Sequence, residues 1–315
     1  MAHEIETMAY AGEVPWHGLG KRVLPDLTPD QMMEEAGVNW TVRKVPAYAD
    51  INGVKVAVGR SALIRESDDA VLDVVGDDWY PTQNADAFNF FEEAIRAGDM
   101  EMHTAGSLKG GKIVWALAKV KDSFTLGGRD QVDSYLLFSN PHMYGKSIDV
   151  RFTPIRVVCN NTLTLSLRSK SDNMVRVSHR TEFDPDAVKE TLGIAHDKMN
   201  QYKEMGQFLT SKRYNGDTIV EYFKTIFPLT TTKEDGKSRK DMSKGASIGL
   251  DILETQPGAD IAPGSWWNAY NAVTYYTDHL VGRSADARIS SAWFGPNRNL
   301  KMAALEKAVE FANAA

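Results

Sequence analysis

The chain has one cysteine, Cys159, in 315 residues. A lone thiol excludes an internal disulfide and a cysteine-based zinc site, and it suits a reducing compartment. Long apolar runs are also missing. No stretch reaches the roughly 18 apolar residues needed to span a bilayer, and the opening, MAHEIETMAYAGEVPWHGLG, is acidic and lacks the basic start of a secretory signal. No membrane partner is expected, and the cytoplasm is the expected location. The histidines, at positions 3, 17, 103, 142, 179, 196 and 279, form no H-E-x-x-H or comparable metal spacing. Asp278 and His279 are helix neighbours that do not share a face. The stretch GSLKGGK, residues 106–112, lacks the G-x-x-x-x-G-K-[ST] spacing of a phosphate-binding loop. Cys159 follows the apolar Val157-Val158 pair with no histidine nearby in sequence, which reads as a small core side chain and not as a nucleophile. Neither a cofactor nor a bound metal is expected, and no catalytic residue stands out.

What is present is an uneven charge. The net charge is −6, yet residues 1–102 carry 8 lysines and arginines against 19 aspartates and glutamates, while residues 103–181 carry 12 against 5. The middle of the chain is therefore a basic island. Screening over about 8 Å lets such an island attract phosphates although the whole molecule is anionic. The competing reading makes these side chains solvated strand edges and loop tips.

Periodicity predicts an α+β fold, with a largely antiparallel sheet and interspersed helices over residues 1–183 and a mostly helical region over 184–315. NWTVRKVPAYA, VKVAVGRSALIRE and AVLDVVGDDWYPT read as a meander of strands turning at Asn52-Gly53. NADAFNFFEEAIRAG reads as a helix capped by Asn84 and stopped at Gly98. Gly110-Gly111 marks a hairpin turn, and Asn140 to Gly145 a longer one. Helices are predicted from Asp184, over NGDTIVEYFKTIF, over the aromatic stretch WWNAYNAVTYY and from about Asn299. Residues 228–249, polar and without period, are expected to form a mobile loop.

The segment RFTPIRVVCNNTL, residues 151–163, joins Arg151 and Arg156 to Asn160-Asn161. If a strand ends at Cys159 and the asparagines cap a helix, the free amides and positive dipole end favour an anion. Strand alternation places Arg151 and Arg156 on opposite faces unless Pro154 marks a bulge. The alternative role for Arg156 is to tie strand to helix through carbonyls.

FTPIRVVCNNTLTLSL, together with PWHGLG, TAGSLKGGKIVWALAKV, WWNAYNAVTYYTDH and AWFGPNRNLKMAALEKA, resembles the phage/plasmid-like protein family that contains the domain of unknown function 932. The match runs in order over nearly the whole chain. It departs at SNPHMYGKS, where the family commonly has a short His-Asp-Gly turn; His142 is kept and the Asp-Gly is not. The resemblance implies a gene carried by phages, prophages or plasmids that acts inside a bacterial host, without an established activity. By analogy of setting and element order, single-strand annealing proteins of recombination are the nearest functional comparison.

Two functional readings follow. In the first, a non-catalytic protein binds nucleic acid, single-stranded DNA by preference. Lys109, Lys112, Lys146, Arg151, Arg156, Arg168 and Lys170, with Asn160 and Asn161, track phosphates, and Trp115, Tyr144 or Phe152 stacks on bases. A homo-oligomer is expected, because several subunits would share one long strand. The core is the competing place for those aromatics. In the second, an enzyme or host-directed effector assembles a site from His17, His142, Asp149 and His279. A purely structural or interaction protein would account for the acidic first third but not for the basic island.

Overall fold

The structure, a computed structural model, describes residues 5–12, 18–156, 161–162, 174–234, 237–282 and 284–314. In chain order, β1 (Ile5–Ala11) and β2 (Lys21–Val23) precede α1 (Pro29–Glu35). The meander β3 (Val42–Ile51), β4 (Val54–Arg65) and β5 (Ala70–Val75) leads to α2 (Asn84–Asn89) and α3 (Glu92–Ala97). Next come β6 (Met100–Leu108), β7 (Ile113–Leu126), β8 (Asp130–Pro141) and β9 (Ile148–Arg156), then the short β10 (Asn161–Thr162) and β11 (Met174–Val177). The remainder is α4 (Pro185–Ser211), α5 (Gly216–Ile226), β12 (Thr230–Glu234), β13 (Lys237–Asp241), α6 (Lys244–Asp251), α7 (Trp266–Tyr275), a π-turn (Tyr276–Leu280), α8 (Ala285–Phe294) and α9 (Pro296–Ala314). The fold is α+β, with a mainly helical C-terminal part.

Local chemistry accounts for most of these boundaries. Asn52 and Gly53 take φ of 53° and 83°, the left-handed pair that matches the twist of a two-residue hairpin. Asp184 Oδ1 accepts from the amides of Asp186 and Ala187 and so starts α4. Pro296 opens α9 at the position where a missing N–H costs nothing, three residues before the expected start. The helix predicted from Asn84 is two short ones, broken at Phe90-Phe91. Its cap is Gln83, whose backbone N–H donates to the Asp86 carboxylate; the Asn84 side chain is drawn into the interior instead.

The main sheet has the order β10-β9-β8-β7-β6-β1-β2 among the described residues, with β11 also against β9. Its hairpins are antiparallel, whereas β1 and β2 run parallel. Residues 132–141 of β8 and 113–118 of β7 are buried without interruption. A strand buried at both odd and even positions is covered on both faces. The chain divides into two compact units, one of Met1–Lys121, Tyr135–Phe152 and Ser171–His196, the other of Asp122–Ser134, Thr153–Lys170 and Asp197–Ala315. In the first unit Leu63, Leu72, Phe88, Phe91 and Phe138 are core. In the second, Tyr222 packs edge-on against Trp266 and donates from its hydroxyl to Ala304 O at 3.0 Å. There Trp267 Nε1 donates to the buried Asp130 at 2.8 Å, and Lys301 is paired with Asp278 at 2.9 Å with no exposure of either side chain.

Two expectations are corrected. Thr230–Glu234 and Lys237–Asp241 pair antiparallel as β12 and β13, with Thr230 opposite Asp241 and Glu234 opposite Lys237, and α6 follows. The β-branched Thr230-Thr231-Thr232 run supplies strand propensity that outweighs the polar composition. Asn161 lies in β10, opposite Arg156, and is not a helix cap. Asn161 and Thr162 pair antiparallel with Arg156 and Ile155, so their backbone groups serve a strand ladder and not a helix start.

Candidate nucleic-acid interface

The candidate site is assembled at one end of the sheet in the first unit. The β6–β7 turn is tight because Lys109, Gly110 and Gly111 all adopt positive φ, at 56°, 65° and 83°. This leaves Lys109 exposed and Lys112 half-buried at the foot of β7. The β8–β9 turn is fastened beside it: His142 N donates to Lys112 O at 2.8 Å. Gly145, at φ 72°, lets that turn close and presents Tyr144 and Lys146 to solvent. Tyr144 N donates to Asp73 Oδ2 on β5 at 2.8 Å, and the Arg60 guanidinium of β4 lies over the Tyr144 ring, 5.4 Å from its centre. The ring is still 61% exposed. Lys109 and Lys112 on the β6–β7 turn and Tyr144 and Lys146 on the β8–β9 turn therefore lie at the same end of the sheet, with Arg60 over the Tyr144 ring, and among the described residues no carboxylate forms an ion pair with Lys109, Lys112, Lys146 or Arg60. The nearby acids are engaged elsewhere. Glu6 and Asp68 grip Arg65 at 2.8 and 2.7 Å, and Asp73 accepts backbone amides through both oxygens.

A buried polar network holds the turns in place. Asn84 Nδ2 donates to Val38 O at 3.0 Å and Trp40 O at 3.2 Å, and Asn140 Nδ2 donates to Thr82 O at 3.0 Å. His142 Nε2 is 2.9 Å from Asn84 Oδ1. His179 stacks on Trp79 with ring centres 4.1 Å apart, and its Nδ1 is 3.2 Å from Tyr80 O. Burial pushes the His142 imidazole down to about 3, and the neighbouring His179 acts in the same direction. Burial likewise takes His179 down to about 4.

Several predicted site residues lie elsewhere. Arg151 is 7% exposed on β9, with its Nε 3.6 Å from Asp149 Oδ1, so it faces the interior and a carboxylate instead of a phosphate. Trp115 and Phe152 are buried, at 1% and 8% exposure, and are not stacking surfaces. Both sit in strands covered on two faces, where neither side of the alternation reaches water. Arg156 ends β9 and Asn161 pairs with it through the backbone; Asn160, Arg168 and Lys170 lie outside the described residues. Arg60 went unnoticed in the sequence because it belongs to the acidic first third. The signal that marks it is local: an arginine after Gly59 in a stretch, 56–64, with no carboxylate.

Of the dispersed set, the described members each have other neighbours within their own unit. His17 is outside the described residues, His142 is bonded to Asn84, and Asp149 is beside Arg151. His279 belongs to the second unit, where its ring stacks on Tyr275 at 4.7 Å. Among the described residues no group of three or more His, Cys, Asp or Glu is placed to hold a metal. No described helix is long and apolar enough to cross a membrane.

The family model described as a domain of unknown function, DUF932, matches residues 71–293. The chain belongs to the DUF932 family. No curated protein and no solved structure matches it. Asp73, Lys109, Lys112, Tyr144 and Lys146 fall within the DUF932 match, whereas Arg60 and the β3–β4 hairpin precede it.

Proposed function

We propose that this DUF932 protein is a non-catalytic binder of nucleic acid, encoded by a phage or plasmid, that holds single-stranded DNA during recombination and works as a homo-oligomer in the host cytoplasm. The observation that carries this reading is that two turns at one end of the sheet carry Lys109, Lys112 and Lys146 beside the exposed Tyr144, over whose ring Arg60 lies, with no carboxylate paired to these cations among the described residues. Cations left uncompensated by the protein's own acids release counterions when they meet phosphates, and an open aromatic face accepts any base. Arg60 covers one side of the ring and holds its orientation, leaving the other side for a base. Single strands are favoured over duplex because a base within a duplex is already stacked on its neighbours.

Fluorescence anisotropy with labelled single-stranded and duplex DNA tests the reading. Replacing Lys112 and Lys146 together by alanine should weaken single-strand binding at least about tenfold, and Tyr144→Ala should weaken it by a similar factor while leaving duplex binding nearly unchanged. Equal affinity of wild type and both variants, with folding intact by circular dichroism, would remove this surface from consideration.

A further inference from the structure

The β3–β4 hairpin extends beyond the sheet that supports it. β5 pairs with β4 only over Ser61–Arg65, so from Ile51 to Val58 the described chain is a two-stranded ribbon with unpaired outer edges. Every residue from Asp50 to Arg60 is exposed. The register divides the ribbon into two unlike faces. Ile51 stands opposite Val54 and Ala49 opposite Val56, and Val58 continues that side two residues on. The other side carries Tyr48 opposite Ala57 and Asp50 opposite Lys55. One face is thus entirely aliphatic in water, with Val54 63% exposed. A lone two-stranded ribbon is at best marginally stable, and exposed aliphatic strands are normally broken up by charges. Here both charges lie on the opposite side.

We propose that this aliphatic face is a self-association surface whose occupant is the same ribbon of a second copy, the two packed face to face about a two-fold axis. A face with no charged or hydrogen-bonding side chain is matched by another of the same kind, and every copy brings one. Charge points to the same occupant. Residues 1–102 are strongly acidic, so most surfaces of that region repel a second copy, but Asp50 and Lys55 cancel and make the ribbon a neutral strip. Nucleic acid is a poor occupant for the same reason, because the aliphatic face offers no cation to phosphate. A contact made by one short strip of five aliphatic side chains, Ala49, Ile51, Val54, Val56 and Val58, is of the small class that supports reversible association at roughly micromolar concentration and not a permanent dimer. This inference rests on the ribbon alone and stands whether or not the polyanion reading holds.

Sedimentation velocity on the full chain over a concentration series, with wild type and the double variant Val54→Asp/Val56→Asp, decides it. Both positions are exposed, so the variant should fold and melt like wild type; a single Val54→Asp change serves as the check if the double variant melts early. Wild type should show reversible self-association, weakened at least about 100-fold in the variant, because dimerisation would bury unpaired carboxylates. A wild type that stays monomeric to about 100 µM, well above the range such a patch should reach, would overturn the proposal. So would association unchanged by the substitutions. DNA affinity lost with association unaltered would assign the ribbon to nucleic acid and overturn it equally.

Discussion

Both amide hydrogens of Asn84 are committed to the carbonyls of Val38 and Trp40, so the proton shared with His142 comes from the imidazole. This fixes His142 as the neutral form protonated at Nε2. Burial of this ring disfavours the imidazolium in the folded state, and the nearby His179 acts in the same direction. Folded-state values near 3 and 4, against about 6.5 for each when unfolded, mean that the unfolded chain binds more protons below pH 6.5. Stability is fully present above that pH and falls as the solution is acidified. Urea unfolding at pH 7 and pH 5 should show a loss of about 2 kcal/mol for each histidine, and His142→Gln should remove roughly half of the dependence. An unchanged slope in that variant would detach the network from the titration. None of this was visible in the sequence, where His142 is one of seven scattered histidines; its role depends on an asparagine 58 residues away.

At the level of elements, turns and helices were legible and coverage was not. Asn52-Gly53 and Gly110-Gly111 announce their hairpins because positive φ is a property of the residues themselves. The aromatic helix α7 and the closing helix α9 follow from apolar periodicity. Whether a strand has one covered face or two depends on what packs over it, and this is why Trp115 and Phe152 were expected at the surface. The short β10 and the β12–β13 hairpin were hidden for a related reason: pairing partners, not local preference, make them strands. The crowding of the central strands has a measurable consequence at Gly106 of β6. A Cβ there would collide with Thr7 O on β1 and with the Trp115 ring on β7. Gly106→Ala should cost about 3 kcal/mol of unfolding free energy in urea titration, since a backbone oxygen and a packed indole cannot both yield. Gly110→Ala, where the added Cβ meets nothing, should cost less and only through its positive φ.

For the molecule as a whole, the basic island of the sequence maps in part to one end of the sheet. Lys109, Lys112 and Lys146 share one end of the sheet because β6–β7 and β8–β9 turn there, whereas Arg151, buried three residues past the start of β9, lies beside Asp149. Arg60 joins them from a region whose sum is acidic, so block averages concealed it. The most direct test of the polyanion surface is the slope of the logarithm of single-stranded DNA affinity against the logarithm of salt concentration. Wild type, with phosphate contacts from Arg60, Lys109, Lys112 and Lys146, should give a slope of about −3, and the triple variant Lys109→Ala/Lys112→Ala/Lys146→Ala one of about −1 or shallower. No binding by wild type at about 50 mM salt, the condition most favourable to counterion release, or an identical slope in the triple variant, would contradict the account.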